Sequence, residues 1–264
     1  MVPLNIALLR GLTSLGGFSL FLCLELVRPY RQPSVSKTKR LWTNVSLTIL
    51  NSALIGLTFA GATIKAAQSV SENSLGLLNM IGLPVWARII LAVFFLDFAQ
   101  YFWHLLNHEV PFFWRFHRVH HSDLNMDVST AMRFHIGEPA MSGCIKICLI
   151  YLIGANLISL TIFEILLVLT VQFEHSSLNV PKSFEEILWI SFVPPSMHRI
   201  HHSVKIHERD TNYGSILSVW DRLLGTLLKD IPQETIVIGV GQYREPEKLG
   251  LSHLLLMPFT RSIK

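Results

Sequence analysis

Three groups of histidines carry most of the chemistry this sequence can do. His104-Leu-Leu-Asn-His108 sets two imidazoles four residues apart, His117-Arg-Val-His120-His121 sets three at i, i+3 and i+4, and His198-Arg-Ile-His201-His202 repeats that pattern with nearly the same filling. On a helix such spacings project the rings from one side, so each triplet can reach two neighbouring metal ions. Imidazoles without thiolates suit a first-row transition metal, iron first and zinc second. Packing gives no reason to gather eight polar rings, since each must be paired once buried. Eleven of the 12 histidines fall between His104 and His207, and only His253 lies outside. A ninth ligand is expected at His175, in Phe173-Glu174-His175-Ser176. His207 and His253 read as ordinary hydrogen-bonded core histidines.

Supporting residues follow from periodicity. Asp97 precedes His104 by seven residues and so lies on the same helical face, two turns deeper. A carboxylate there can accept the second ring N–H of a ligand histidine and fix its tautomer, and Gln100 can do the same. The plainer alternative for Asp97 is a hydrogen bond between helices with no part in metal binding. His135, in Arg133-Phe134-His135-Ile136-Gly137-Glu138, stands at a helix entry and is either a ligand or a partner of one. Glu138 can hold a histidine or a water.

The elements that must position these rings are membrane helices. Half of the 264 residues are apolar and only 15% are charged, against about 25% in a soluble domain. Mean hydropathy is +0.43. The figures exclude disorder, collagen-like repeats and a disulfide scaffold. The fold expected is all-α and integral to a membrane. It has about four transmembrane or re-entrant helices and a cytoplasmic helical cap carrying the histidines, in a single domain over residues 1–264. Apolar segments at 6–27, 41–64 and 83–106 approach the roughly 20 residues needed for a span. The first reads as an anchor, not a cleaved signal. A fourth stretch, 141–171, is broken at Gly154-Ala155-Asn156 and reads as a hairpin. Arg28, Arg31, Lys37, Lys39 and Arg40 sit between the first two segments, against Lys65 alone in the next loop. The positive-inside rule then puts every histidine group on the cytoplasmic side. Cys23, Cys144 and Cys148 sit in apolar runs without metal or disulfide spacing. The net charge of +4 is spread along membrane flanks, so no nucleic-acid partner is expected.

Together these residues resemble the superfamily of fatty acid hydroxylases and sterol desaturases, integral-membrane non-haem di-iron oxygenases. The family pattern H-x3-H, H-x2-H-H, H-x2-H-H is matched in order, with 8 residues between the first two boxes and 76 between the last two. Arg133-Phe134-His135 with Glu138 resembles the segment after the second box. Asn212-Tyr213-Gly214 and Trp220-Asp221-Arg222-Leu223-Leu224-Gly225-Thr226 resemble the family's ending, which makes Asn212 and Asp221 further supporting residues. That ending separates the chain from acyl-CoA desaturases. The likeness covers about 83–226.

The resemblance implies two irons, O2 and a membrane lipid substrate: a fatty acyl chain, sterol or ether lipid that is hydroxylated, desaturated or cleaved at an ether, with hydroxylation favoured. The third apolar segment and the hairpin are expected to wall a slot for the lipid. The chain has no dinucleotide fingerprint, cysteine cluster or fused haem domain, so a separate electron-transfer protein is implied. Arg115, Arg118, Arg199, Lys205 and Arg209 flank the boxes and can either receive an acidic carrier or act as surface charges. A histidine-rich metal transporter or binding protein is the alternative. It would place ligands near the middle of its spans, whereas these sit at span ends.

Overall fold

The computed structural model describes residues 2–261; among them every regular element is a helix, and β-structure is confined to isolated bridges. A long first helix, α1 (Val2–Val27), leads by a loop to α2 (Lys37–Ile55). A π-turn over Gly56–Ala60 carries α2 directly into α3 (Gly61–Asn73). Then come α4 (Val85–Glu109), α5 (Pro111–His121), α6 (Gly137–Ile153) and α7 (Leu157–His175). The cap is built from short helices: α8 (Lys182–Ser191), α9 (Pro195–His201), α10 (Ile206–Arg209), α11 (Val219–Leu224) and α12 (Leu251–Leu256).

Among the described residues, three helices are long and apolar enough to cross a membrane: Asn5–Val27, Val85–Glu109 and Leu157–His175. The expected span at 41–64 is helical but falls outside this set. Its inward face is polar, with Arg40, Asn44 and Asn51 buried, because it clasps the loop after the second histidine box. Arg40 pairs with Asp123 (2.5 Å) and Asp127 (2.6 Å). Asn44 Oδ1 accepts from Arg133 (3.0 Å), and Asn51 Nδ2 donates to the Phe134 carbonyl (2.8 Å). The expected hairpin is α6–α7. It turns where Gly154 takes φ +85° to end α6 and Asn156 caps α7 by accepting from the Ser159 N–H.

Two prolines aim the rings. Pro111 at the first position of α5 forces Val110 into extended backbone (φ −92°, ψ 115°), since a residue before proline is driven out of the helical region. The chain therefore bends between the first and second boxes. Pro195 opens α9 in the same way. An apolar core of Leu78, Ala92, Leu96, Ile153, Phe163 and Ile216 locks α4, α6 and α7 together below the rings.

Candidate metal centre

The C-terminal ends of α4 and α7, all of α5 and all of α9 meet at one level, and nine buried histidines converge there. They divide into two sets. His104, His108, His117, His121 and His201 form one, while His120, His175, His198 and His202 form the other, each with ring nitrogens within 4.8 Å of one another. Each triplet splits between the sets. His117 and His121, one helical turn apart, turn to the first while His120 turns to the second; His198 and His202 turn to the second while His201 turns to the first. The ninth histidine inferred from sequence, His175, is the hub of the smaller set. Its Nε2 lies 3.0, 2.9 and 3.2 Å from the Nε2 atoms of His120, His198 and His202.

Five rings are oriented from behind. The Nδ1 atoms of His104, His201 and His175 donate to the carbonyls of Tyr213 (2.8 Å), Thr211 (2.7 Å) and Val171 (2.7 Å). His117 Nδ1 donates to Glu138 Oε1 (3.0 Å) and His108 Nδ1 to Asp210 Oδ1 (3.2 Å). A proton on Nδ1 leaves the Nε2 lone pair pointing inward. Burial first, and neighbouring rings second, hold His120, His121, His198, His201 and His202 well below the usual imidazole range. Those rings are neutral at pH 7. The buried Nε2 atoms of His104, His108 and His201 have no hydrogen-bond partner. Inward lone pairs about 3 Å apart repel each other unless a cation lies among them. The residues present therefore fit a metal in each set, with nitrogen donors that suit iron or zinc.

Glu138 reaches His117 as the helix-entry reading allowed. Asp97 does not reach a histidine. Its Oδ2 accepts from Trp220 Nε1 (2.7 Å), so its role is the alternative one, a bond between α4 and the cap. The partner stands 123 residues away in sequence, which periodicity cannot reveal. His135 touches neither set: its Nδ1 accepts from the Gly137 N–H (3.1 Å) and its Nε2 meets the Leu255 carbonyl (3.2 Å). It fastens the entry of α6 to α12. Asn212 and Asp221 act at one remove. Asn212, at φ +57°, spans the carbonyls of Met197 and Leu228. Asp221 accepts from the N–H groups of Tyr213 (2.7 Å) and Gly214 (2.8 Å), fixing the carbonyl that orients His104. Gln100 lines a small space of about 20 Å³ with Ser142, Lys146 and Phe163.

The remaining expectations divide. His207 and His253 are exposed, not core residues. Of the five flanking cations, Arg118, Arg199 and Arg209 are buried: Arg118 holds the Thr260 carbonyl, Arg199 stacks on Tyr30 and Arg209 on Trp114. Arg115 and Lys205 are exposed. An apolar groove of about 360 Å³ does run between α4 and α6, lined by Phe95, Phe102, Leu106, Ile145 and Leu149. At 100° per residue, however, Phe102 and Leu106 lie on the opposite side of α4 from His104. Sequence reading passed over Glu174, which is 1% exposed, with Oε1 3.7 Å from His198 Nε2 and Oε2 without a hydrogen-bond partner. Its only signal was a carboxylate beside a ligand at the end of an apolar run.

An all-helical membrane scaffold around two buried histidine sets defines a class of histidine-box metalloproteins. Comparison with known proteins gives the family. The fatty acid hydroxylase family matches residues 89–226, or 138 of the 264, and the chain belongs to that family of O2-dependent oxidoreductases. It is 27% identical over 245 residues to the ornithine lipid hydroxylase OlsE of Rhizobium tropici, covering 90% of this chain and 71% of that one. It is 28% identical over 221 residues to the alkylglycerol monooxygenase of Homo sapiens, covering 80% of this chain and 46% of that one. Cholesterol 25-hydroxylase of Homo sapiens is 28% identical over 145 residues, 53% of this chain and 51% of that one. The chain thus spans about half the length of the latter two. No solved structure matches it.

Proposed function

We propose that the chain is a di-iron lipid hydroxylase, with His104, His108, His117, His121 and His201 holding one iron and His120, His175, His198 and His202 the other. The observation that carries this reading is the convergence of nine buried rings into two sets, five of the rings oriented by outward hydrogen bonds. Iron held there supplies the reductive activation of O2 that an unactivated C–H bond requires. The chain's own groups bind and orient. The Tyr213, Thr211 and Val171 carbonyls and the Glu138 and Asp210 carboxylates keep the proton on Nδ1, and Glu174 sets a carboxyl oxygen beside the four-histidine set. The buried setting excludes water from the reacting centre.

The substrate proposed is a chain of a polar membrane lipid. One relative, matched over 90% of this chain and 71% of its own length, is a hydroxylase of ornithine lipid. In addition, a polar cavity of about 560 Å³ lies at the end of α1, lined by Arg31, Lys37, Arg244, Glu25, Asp127 and Glu234. It offers both signs of charge to a headgroup at the level where headgroups lie. Electrons come from a separate carrier, for which Arg115 and Lys205 are the accessible basic residues. The basic residues between α1 and α2 favour a cytoplasmic site.

Metal analysis of the detergent-purified chain, expressed with iron, tests the reading. We expect about two irons per chain, falling to about one in His201→Ala and in His198→Ala, and incorporation of one atom of 18O2 into a membrane lipid by cells expressing the chain. Absence of metal, or content indifferent to both substitutions, overturns it.

A further inference from the structure

The cap lies deeper than a surface domain would. After the third box the chain descends beside α4. Trp220 packs at a tilt against Phe94 and Phe98, with ring centroids 4.6 and 4.8 Å away, and hydrogen-bonds Asp97. These α4 residues precede His104 by six to ten positions, which at 1.5 Å per residue sets Trp220 roughly 9–15 Å below the rings. Ile216 joins the core that α4 and α7 share between their ends. α8 goes down with it. The chain leaves the level of α1's end at Leu178, bridged to Pro29, and at Phe192 is bridged to Leu217; α9 then climbs back to the rings.

Two further observations bear on what surrounds this descent. The outward faces are apolar: Phe184, Ile187, Ile190 and Phe192 on and beyond α8, and Leu223 and Leu224 on α11, are 47–69% exposed. On α8's other side, Lys182, Glu185 and Glu186 face a polar hollow shared with Lys229 and Asp230. Two of the charged groups that descend, Arg222 and Asp221, are paired within the protein, as hydrocarbon surroundings demand. Arg222 donates to the Ile190 (2.8 Å) and Trp189 (2.9 Å) carbonyls, closing the end of α8. Asp221 takes the Tyr213 and Gly214 N–H groups.

We infer that α8 and α11 form a wedge inserted into the acyl region of the leaflet nearest the metal centre. Its occupied surface is continuous with the lipid-facing side of α4, where Phe94, Phe95 and Phe98 are also exposed. The partner is the bilayer itself, and the wedge closes one flank of the centre with lipid where a soluble cap would leave it to water.

The test measures depth and is independent of metal and turnover. Spin labels are placed by Ile187→Cys, Ile190→Cys and Leu223→Cys, with His207→Cys as the control on the exposed rim, after the three native cysteines are replaced by serine. The chain is reconstituted into phosphatidylcholine–phosphatidylglycerol vesicles. Relaxation by O2 over relaxation by a water-soluble nickel chelate should rise at least about threefold at the three wedge sites relative to 207. Equal ratios overturn the inference. Carbene labelling of the unmodified chain from within the bilayer, read by peptide mass spectrometry, needs no variant. Peptides covering 184–192 and 219–224 should be labelled alongside α4, and labelling confined to α1, α4 and α7 also overturns it.

Discussion

Glu138 and Glu174 show what single residues add to a set of imidazoles. Glu138 Oε1 meets His117 Nδ1 at 3.0 Å, and such partners typically govern metal affinity by about 10–100-fold. Glu138→Ala should weaken metal retention by that order in a chelator competition, whereas Glu138→Gln, which keeps an acceptor oxygen, should retain most of it; equal retention by all three proteins would remove Glu138 from the centre. Acid sensitivity is set elsewhere, at Asp123. Burial alone would raise its pKa, but Arg40 and Arg133 outweigh burial and hold it at about 2. A depressed carboxylate stabilises the fold above its unfolded pKa, near 4, and that contribution is lost as pH falls toward 2. Thermal stability of the wild type should fall through this window more steeply than that of Asp123→Asn, and parallel curves would disprove the assignment. The eight box histidines were legible because i, i+3 and i+4 spacing is a local property, and His175 because it ends the apolar hairpin at their level. The partners of Asp97 and His135 were not, since Trp220 and Leu255 come from segments more than 100 residues further on.

Among the elements, the hairpin turn and the cap anchor are the most exposed to substitution. Gly154 has φ +85°, and an added Cβ would lie 2.8 Å from Asn79 Nδ2 and the Leu75 carbonyl. Gly225 has φ +75° with open space around it. A left-handed non-glycine residue costs about 1–3 kcal/mol. Gly225→Ala should therefore cost that alone and Gly154→Ala more, read as midpoint shifts in detergent; the reverse order would contradict the packing of the turn. Asp221→Ala abandons the Tyr213 and Gly214 N–H groups in a buried site, a loss of about 3 kcal/mol, and should lower the melting temperature without lowering lipid affinity. Sequence located α4, α6 and α7 well, because their apolar runs decide their placement. It placed a helix at 41–64 but gave no sign of the polar inward face of α2, which answers to the Asp123–Arg133 loop.

At the scale of the whole molecule, the two histidine sets draw on α4, α5, α7, α9 and the turn after α9, and neither set lies within one part of the chain. The five-membered set needs His201 as well as His104; the four-membered set needs His198 and His202 as well as His120. His202 follows His104 by 98 residues, an interval of about 5–20 s at ordinary rates of synthesis. During that interval both sets are short of donors. The two metals proposed above would therefore find full donor sets almost together, only after the third box has emerged and α9 has climbed back to the others.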